Sequence, residues 1–122
     1  SRVIKQRNLN AKKLDLGLSK LYPNLIVPPR PKDNIETFAL YMILCKKRDK
    51  LMKYLSEKGI ETKIHYPKPL HLQKASKIYN YKLGDFPISE KQSKELLTLP
   101  VHQYLTENQI NLMISSIIRF YE

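Results

Sequence analysis

The chain has 122 residues, 42% hydrophobic and 27% charged, with 22 Lys and Arg against 11 Asp and Glu for a net charge of +11. That length fits one domain, and the composition excludes a disordered polyelectrolyte; a single cysteine, Cys45, excludes a disulfide framework. The longest apolar run, "FALYMILC" at 38–45, is far below the roughly 20 residues of a membrane helix, and no signal-peptide pattern opens the chain, so a cytoplasmic, reducing setting is expected.

The chain opens in a helical pattern, with Ala11, Leu14, Leu18 and Leu21 on one face. It lacks an initial methionine and reads as part of something longer. Pro23, Pro28, Pro29 and Pro31 stop that helix and force an extended connection through "LIVPPRP". Residues 37–45, "TFALYMILC", are apolar at both alternating sets of positions, which predicts a central strand covered on both sides.

A helix is predicted over 48–58, with Leu51, Met52 and Leu55 as its apolar stripe, Gly59 as a left-handed stop and Ile60 packing back. "ETKIHY" at 61–66 reads as a second strand, with Thr62, Ile64 and Tyr66 on one face and Lys63 and His65 on the other, ended by Pro67 and Pro69. One or two helical turns follow in "LHLQKASKIYN", then a turn around Gly84. Ser89 and Gln92 form a capping-box pattern opening a helix to about Leu97, and "TLP" at 98–100 reads as a short strand. Thr106 and Gln109 repeat the pattern ahead of a final helix whose Ile110, Met113, Ile114, Ile117, Ile118 and Tyr121 form a continuous apolar face. Helices alternating with short strands predict an α/β (α+β) domain of two layers, helices packed on a small sheet, which loss of the last helix would unfold.

The basic residues are spread along the chain, from Lys12 and Lys13 through Lys46, Lys47 and Arg48 to Lys91 and Lys94, with no nucleic-acid-binding signature. A solvated lysine-rich surface is the expectation, and nucleic acid is not an expected partner. Cys45, in an apolar run, reads as an inert buried thiol.

Candidate chemistry concentrates in "KIHYPKPLHLQ" at 63–73. His65 and His71 are six residues apart across two prolines, which is no zinc spacing, so no metal site is expected. Three glycines, at 17, 59 and 84, make no phosphate loop, and no serine elbow occurs. Two readings of the segment stay open. The prolines stiffen an exit that offers His65 and Tyr66 to a phosphate or hydroxyl-rich ligand, with Lys63 and Lys68 adding positive potential; or Tyr66 packs in the core and His65 lies on the surface.

Four ordered blocks, "RDKLMKYLSEKGIETKIHYPKPLHLQKA", "KLGDFPISE", "LTLP" and "LTENQINLMISSIIRFY", together with the opening "RNLNAKKLDLGLSKL", resemble the carboxy-terminal third of the DegT/StrS sugar aminotransferases. The resemblance implies the small carboxy-terminal domain of the aspartate-aminotransferase fold, residues 1–122 forming that one domain and the large cofactor-binding domain lying outside this chain. It further implies a homodimer that uses pyridoxal phosphate to move an amino group, with glutamate as the expected donor, onto a nucleotide-linked keto sugar in cell-surface polysaccharide or amino-sugar biosynthesis. The Schiff-base lysine and most phosphate ligands belong to the large domain, so no catalytic residue and no bound pyridoxal phosphate are expected in this chain alone.

Carried over by residue, His65 and Tyr66 match the family's His-Tyr pair near the nucleotide sugar. His71 and Gln73 match its "HLQ", more as loop-shaping residues than as contacts, with Lys63 and Lys68 as further candidates. Tyr41 matches a strand tyrosine expected in the core. Ala39 stands where many members carry a histidine or aromatic residue, which leaves the identity of the sugar open. The alternatives are a non-catalytic interaction module that keeps the fold and, more weakly, a polyanion binder.

Overall fold

A computed structural model describes residues 1–122. Helix α1 (Arg2–Leu18) runs into a 3₁₀ turn and strand β1 (Leu25–Ile26); β2 (Tyr41–Cys45) and α2 (Arg48–Glu57) follow the proline-rich connection. Two 3₁₀ segments (Leu70–Leu72 and Lys74–Tyr79) lead to α3 (Pro87–Glu95), β3 (Leu96–Leu99) and α4 (Glu107–Tyr121). The sheet is antiparallel throughout in the order β1-β2-β3, with Tyr41 opposite Leu99, Ile43 opposite Leu97 and Cys45 opposite Leu25.

This register puts Leu25, Tyr41, Ile43, Cys45, Leu97 and Leu99 on one face, all of them buried. Against that face pack Ala11, Leu14 and Leu18 of α1, Leu51 and Leu55 of α2, and Ile110, Met113 and Ile117 of α4, one contiguous core. The two-layer architecture is therefore the expected one. No helix is long and apolar enough to cross a membrane.

Local chemistry explains the helix ends. Gly59 takes φ +76°, and the Ile60 and Gly59 amides return to the carbonyls of Leu55 and Ser56 at 2.9 and 3.0 Å, closing α2 with the expected left-handed cap. The capping box of α4 forms in both directions: the Gln109 amide donates to Thr106 Oγ1 at 3.2 Å, and the Thr106 amide donates to Gln109 Oε1 at 2.9 Å. Where α1 meets α4 the fit is close, since a Cβ on Gly17 would lie 2.7 Å from Ile114 Cγ2.

Four expectations need correction. Residues 61–66 make no strand; only Lys63 pairs, through reciprocal backbone bonds with Thr98 of 3.2 and 2.7 Å. On one side the next rung would need an amide from Pro100, which has none, and on the other the Leu96 carbonyl already accepts from Arg48 at 3.0 Å. The central strand is not covered on both sides, because Met42 and Leu44 on its second face are only half-buried. It also starts at Tyr41 rather than 37, Phe38 having a positive φ of 47° that no strand accommodates. Finally, α3 begins at Pro87, whose fixed φ and missing amide suit the first helical position, so no Ser89–Gln92 box forms and β3 falls at 96–99.

Candidate functional site

The second face of the sheet is the part that the helices leave open. Ile26, Met42, Leu44 and Leu96 form the apolar floor of a cavity of about 510 Å³. One wall is the arm after α2, carrying His65, Tyr66, Lys68, Pro69, Leu70 and Gln73; the opposite wall is α3, through Ser89, Gln92 and Ser93. Four of the sequence-derived candidates, His65, Tyr66, Lys68 and Gln73, thus share one cavity.

His65 is fixed by the sheet rather than by its own backbone regularity. The Lys63–Thr98 bridge brings the arm to β3, and His65 Nδ1 then lies 2.9 Å from Thr98 Oγ1. With Nδ1 occupied, either tautomer leaves Nε2 for a ligand. Tyr66 does not take the opposite face from His65, as a strand would require: their rings meet edge-on at 5.7 Å. Tyr66 is 70% exposed, which excludes the core packing that period-two alternation allowed.

His65 also lines a second cavity of about 630 Å³ on the other side of the arm, together with Lys63, Ala39, Leu40, Pro100 and His102. Lys63 faces this second cavity, where its ammonium pairs with Glu61 at 3.1 Å. Ala39, the position that departs from the family pattern, thus lines the same cavity as His65.

His71 lines neither cavity. Its Nε2 is 2.8 Å from Glu90 Oε1 and its ring lies tilted against Phe86, centroids 4.8 Å apart. The same carboxylate oxygen accepts the Gly84 amide at 2.8 Å and the Phe86 amide at 3.4 Å. Partial desolvation works against ionisation of Glu90, but these amides and the imidazole outweigh it and hold the carboxyl below its usual range.

A polar network behind the core was not signalled by the sequence. Arg30, between prolines of "PPRP", forks onto Asp15 of α1 at 3.1 and 3.0 Å, and Tyr41 donates to the same carboxylate at 2.7 Å. The guanidinium also lies over the Phe38 and Tyr41 rings at 5.0 and 5.3 Å. Burial, with the Asp15 hydrogen bond, pushes the Tyr41 phenol well above its ordinary range. Tyr41 is thus a core residue, as expected, and the network ties the proline-rich connection to α1. No group of three or more His, Cys, Asp and Glu is placed to hold a metal ion.

Among known proteins, the chain is 38% identical over 117 residues to a "Pleiotropic regulatory protein" of Geobacillus stearothermophilus, covering 95% of this chain and 32% of that one. It is 30% identical over 101 residues to dTDP-3-amino-3,4,6-trideoxy-alpha-D-glucose transaminase of Streptomyces venezuelae, covering 83% of this chain and 26% of that one. A solved DegT DnrJ EryC1 StrS aminotransferase from Brucella abortus superposes with a TM-score of 0.88 at 34% identity, over 98% of this chain and 31% of that chain. S. venezuelae DesV, solved with a ketimine intermediate, superposes with a TM-score of 0.92 at 28% identity, over 98% of this chain and 32% of that one. The chain therefore spans between a quarter and a third of the length of these relatives. The family model of the DegT/DnrJ/EryC1/StrS aminotransferases matches residues 1–118, and the chain belongs to that family.

Proposed function

We propose that this chain is the small carboxy-terminal domain of a pyridoxal-phosphate aminotransferase that aminates a nucleotide-linked keto sugar, with glutamate as donor, in a dimeric cytoplasmic enzyme. In this reading His65 and Tyr66 are its substrate-side contacts. The observation that supports it best is the cavity on the open sheet face, where an apolar floor of Met42 and Leu44 lies beneath His65, Tyr66, Lys68 and Gln73. Such a surface suits a sugar: the ring's C–H face meets apolar side chains, its hydroxyls meet imidazole, phenol and amide, and the lysine adds charge toward a phosphate. The S. venezuelae relative, a transaminase named for a dTDP-linked amino sugar, points to the same substrate class.

The cofactor, when bound, holds the transferred amino group between donor and acceptor. A lysine that forms an imine with it needs a desolvated pocket to lose its proton, and every lysine of this chain is exposed. The residues present do not fit the cofactor's reactive end. The chain's own part is to bind and orient the sugar.

The Geobacillus relative, a pleiotropic regulatory protein, favours a second reading, an interaction module that keeps the fold without catalysis. Spectroscopy separates the two. The full-length gene product is expected to absorb as a lysine-bound pyridoxal-phosphate enzyme, and the 122-residue chain to show no such band. A full-length gene product without a large domain, or without that band, would remove the enzyme reading.

A further inference from the structure

His71 and Glu90 join the two walls of the cavity without lining it. On the arm, the neighbours of His71 that face the cavity are Leu70 and Gln73; on α3, those of Glu90 are Ser89, Gln92 and Ser93. The 2.8 Å contact between His71 Nε2 and Glu90 Oε1 is the only side-chain bond between the 66–73 arm and α3. The side chains of His71 and Glu90 are 7% and 12% exposed, so water competes little for the bond. The arm has few other restraints of its own. Its backbone bonds are local turns, and the Lys63–Thr98 bridge and the His65–Thr98 contact hold it only at its start.

Glu90 is itself held from the far side. Its carboxylate accepts the Gly84 and Phe86 amides, so the turn before α3 is gathered onto the same oxygen. Phe86 closes the arrangement by meeting the His71 ring at a tilt and the Tyr81 ring edge-on, with ring centroids at 4.8 and 5.0 Å. A ligand pushing the walls apart would have to stretch this clasp, whereas one matched to the gap would meet Tyr66 and Gln73 already in place.

We propose that the His71–Glu90 pair is a clasp that fixes the width of the cavity, making His71 a positioning residue for the Tyr66 and Gln73 contacts rather than a ligand of the substrate. The inference rests on the functional reading above and adds to it the element that sets the gap.

Two near-isosteric variants test it, because a glutamine amide reaches the place of imidazole Nε2 while an asparagine amide reaches only that of Nδ1. In the full-length gene product, His71→Gln should keep KM for the nucleotide sugar within about twofold, and His71→Asn should raise it about tenfold, the cost of a contact held slightly out of place, with kcat nearly unchanged in both. In the 122-residue chain, amide resonances of Tyr66, Leu70 and Gln73 should shift in His71→Asn but not in His71→Gln, while those of Ile43, Leu97 and Ile117 stay put. Equal behaviour of the two variants in both readouts would overturn the clasp. Loss of the folded spectrum in His71→Asn alone would also overturn it, by making the pair a determinant of the fold. A wild-type enzyme inactive on nucleotide-linked keto sugars would overturn the functional reading, and the resonance shifts would still decide the clasp.

Discussion

His65 Nδ1 sits 2.9 Å from the hydroxyl of Thr98, so a residue on an irregular arm takes its position from the sheet's edge strand. Thr98→Val removes that hydroxyl at nearly constant volume. The variant should lose about 1 kcal/mol of stability, the net worth of one hydrogen bond, and in the full-length enzyme KM for the sugar nucleotide should rise three- to tenfold, on the order of the same energy, with the cofactor band unchanged. Steady-state kinetics with a thermal melt check this; an unchanged KM would show that His65 needs no anchor.

Asp15 serves two partners at once, the Arg30 fork and the Tyr41 hydroxyl. Asp15→Ala strands a buried phenol and a half-buried guanidinium and should cost about 2–3 kcal/mol in urea unfolding, whereas Asp15→Asn, which keeps an acceptor, should cost about half of that. Equal losses in the two variants would mean that volume, not the network, matters here.

Gly17→Ala ought to stabilise a helix by roughly 1 kcal/mol on propensity alone. Here the added methyl would meet Ile114 Cγ2 at 2.7 Å and Cδ1 at 2.8 Å, with Ile114 packed against the core. Overpacking of this kind costs about 1–3 kcal/mol, so the expected net change is a loss of about 1 kcal/mol. A higher melting temperature in Gly17→Ala would contradict the close approach of α1 and α4.

Burial pushes the Cys45 thiol up to about 11, with nearby Arg48 acting the other way but not prevailing. The folded chain therefore holds this proton more tightly than the unfolded chain, and stability should fall as pH rises from about 9 toward 11. At pH 8 a thiol-disulfide reagent should leave the native chain unlabelled and label it fully in denaturant. Fast labelling of the native state would contradict a thiol that is only 2% exposed.

Much of the fold can be read in the sequence because the signals are local. The apolar stripe of α4, its Thr106 box, and Gly59 with Ile60 each act within a few residues of chain. The failed strand at 61–66 fails for non-local reasons: its alternation is sound, but its partner edge offers Pro100 on one side and a carbonyl taken by Arg48 on the other. Likewise Met42 and Leu44 read as core because they are apolar, while what covers them is decided by elements far away in the chain. At the site, four candidates from "KIHYPKPLHLQ", His65, Tyr66, Lys68 and Gln73, share one cavity. That His71 turns away to Glu90 depends on a turn and helix nearly twenty residues further on. Arg30 carried no signal of its own, its partner Asp15 lying on the opening helix.

The central claim is that the chain contributes substrate-side contacts to an aminotransferase whose reactive lysine lies elsewhere. His65→Ala in the full-length gene product tests it most directly, with KM for a nucleotide-linked keto sugar measured beside the cofactor's absorption. The account predicts KM raised roughly tenfold, the size of one lost hydrogen bond to the ligand, over an unchanged cofactor band. Loss of the cofactor band with KM unaltered would contradict it.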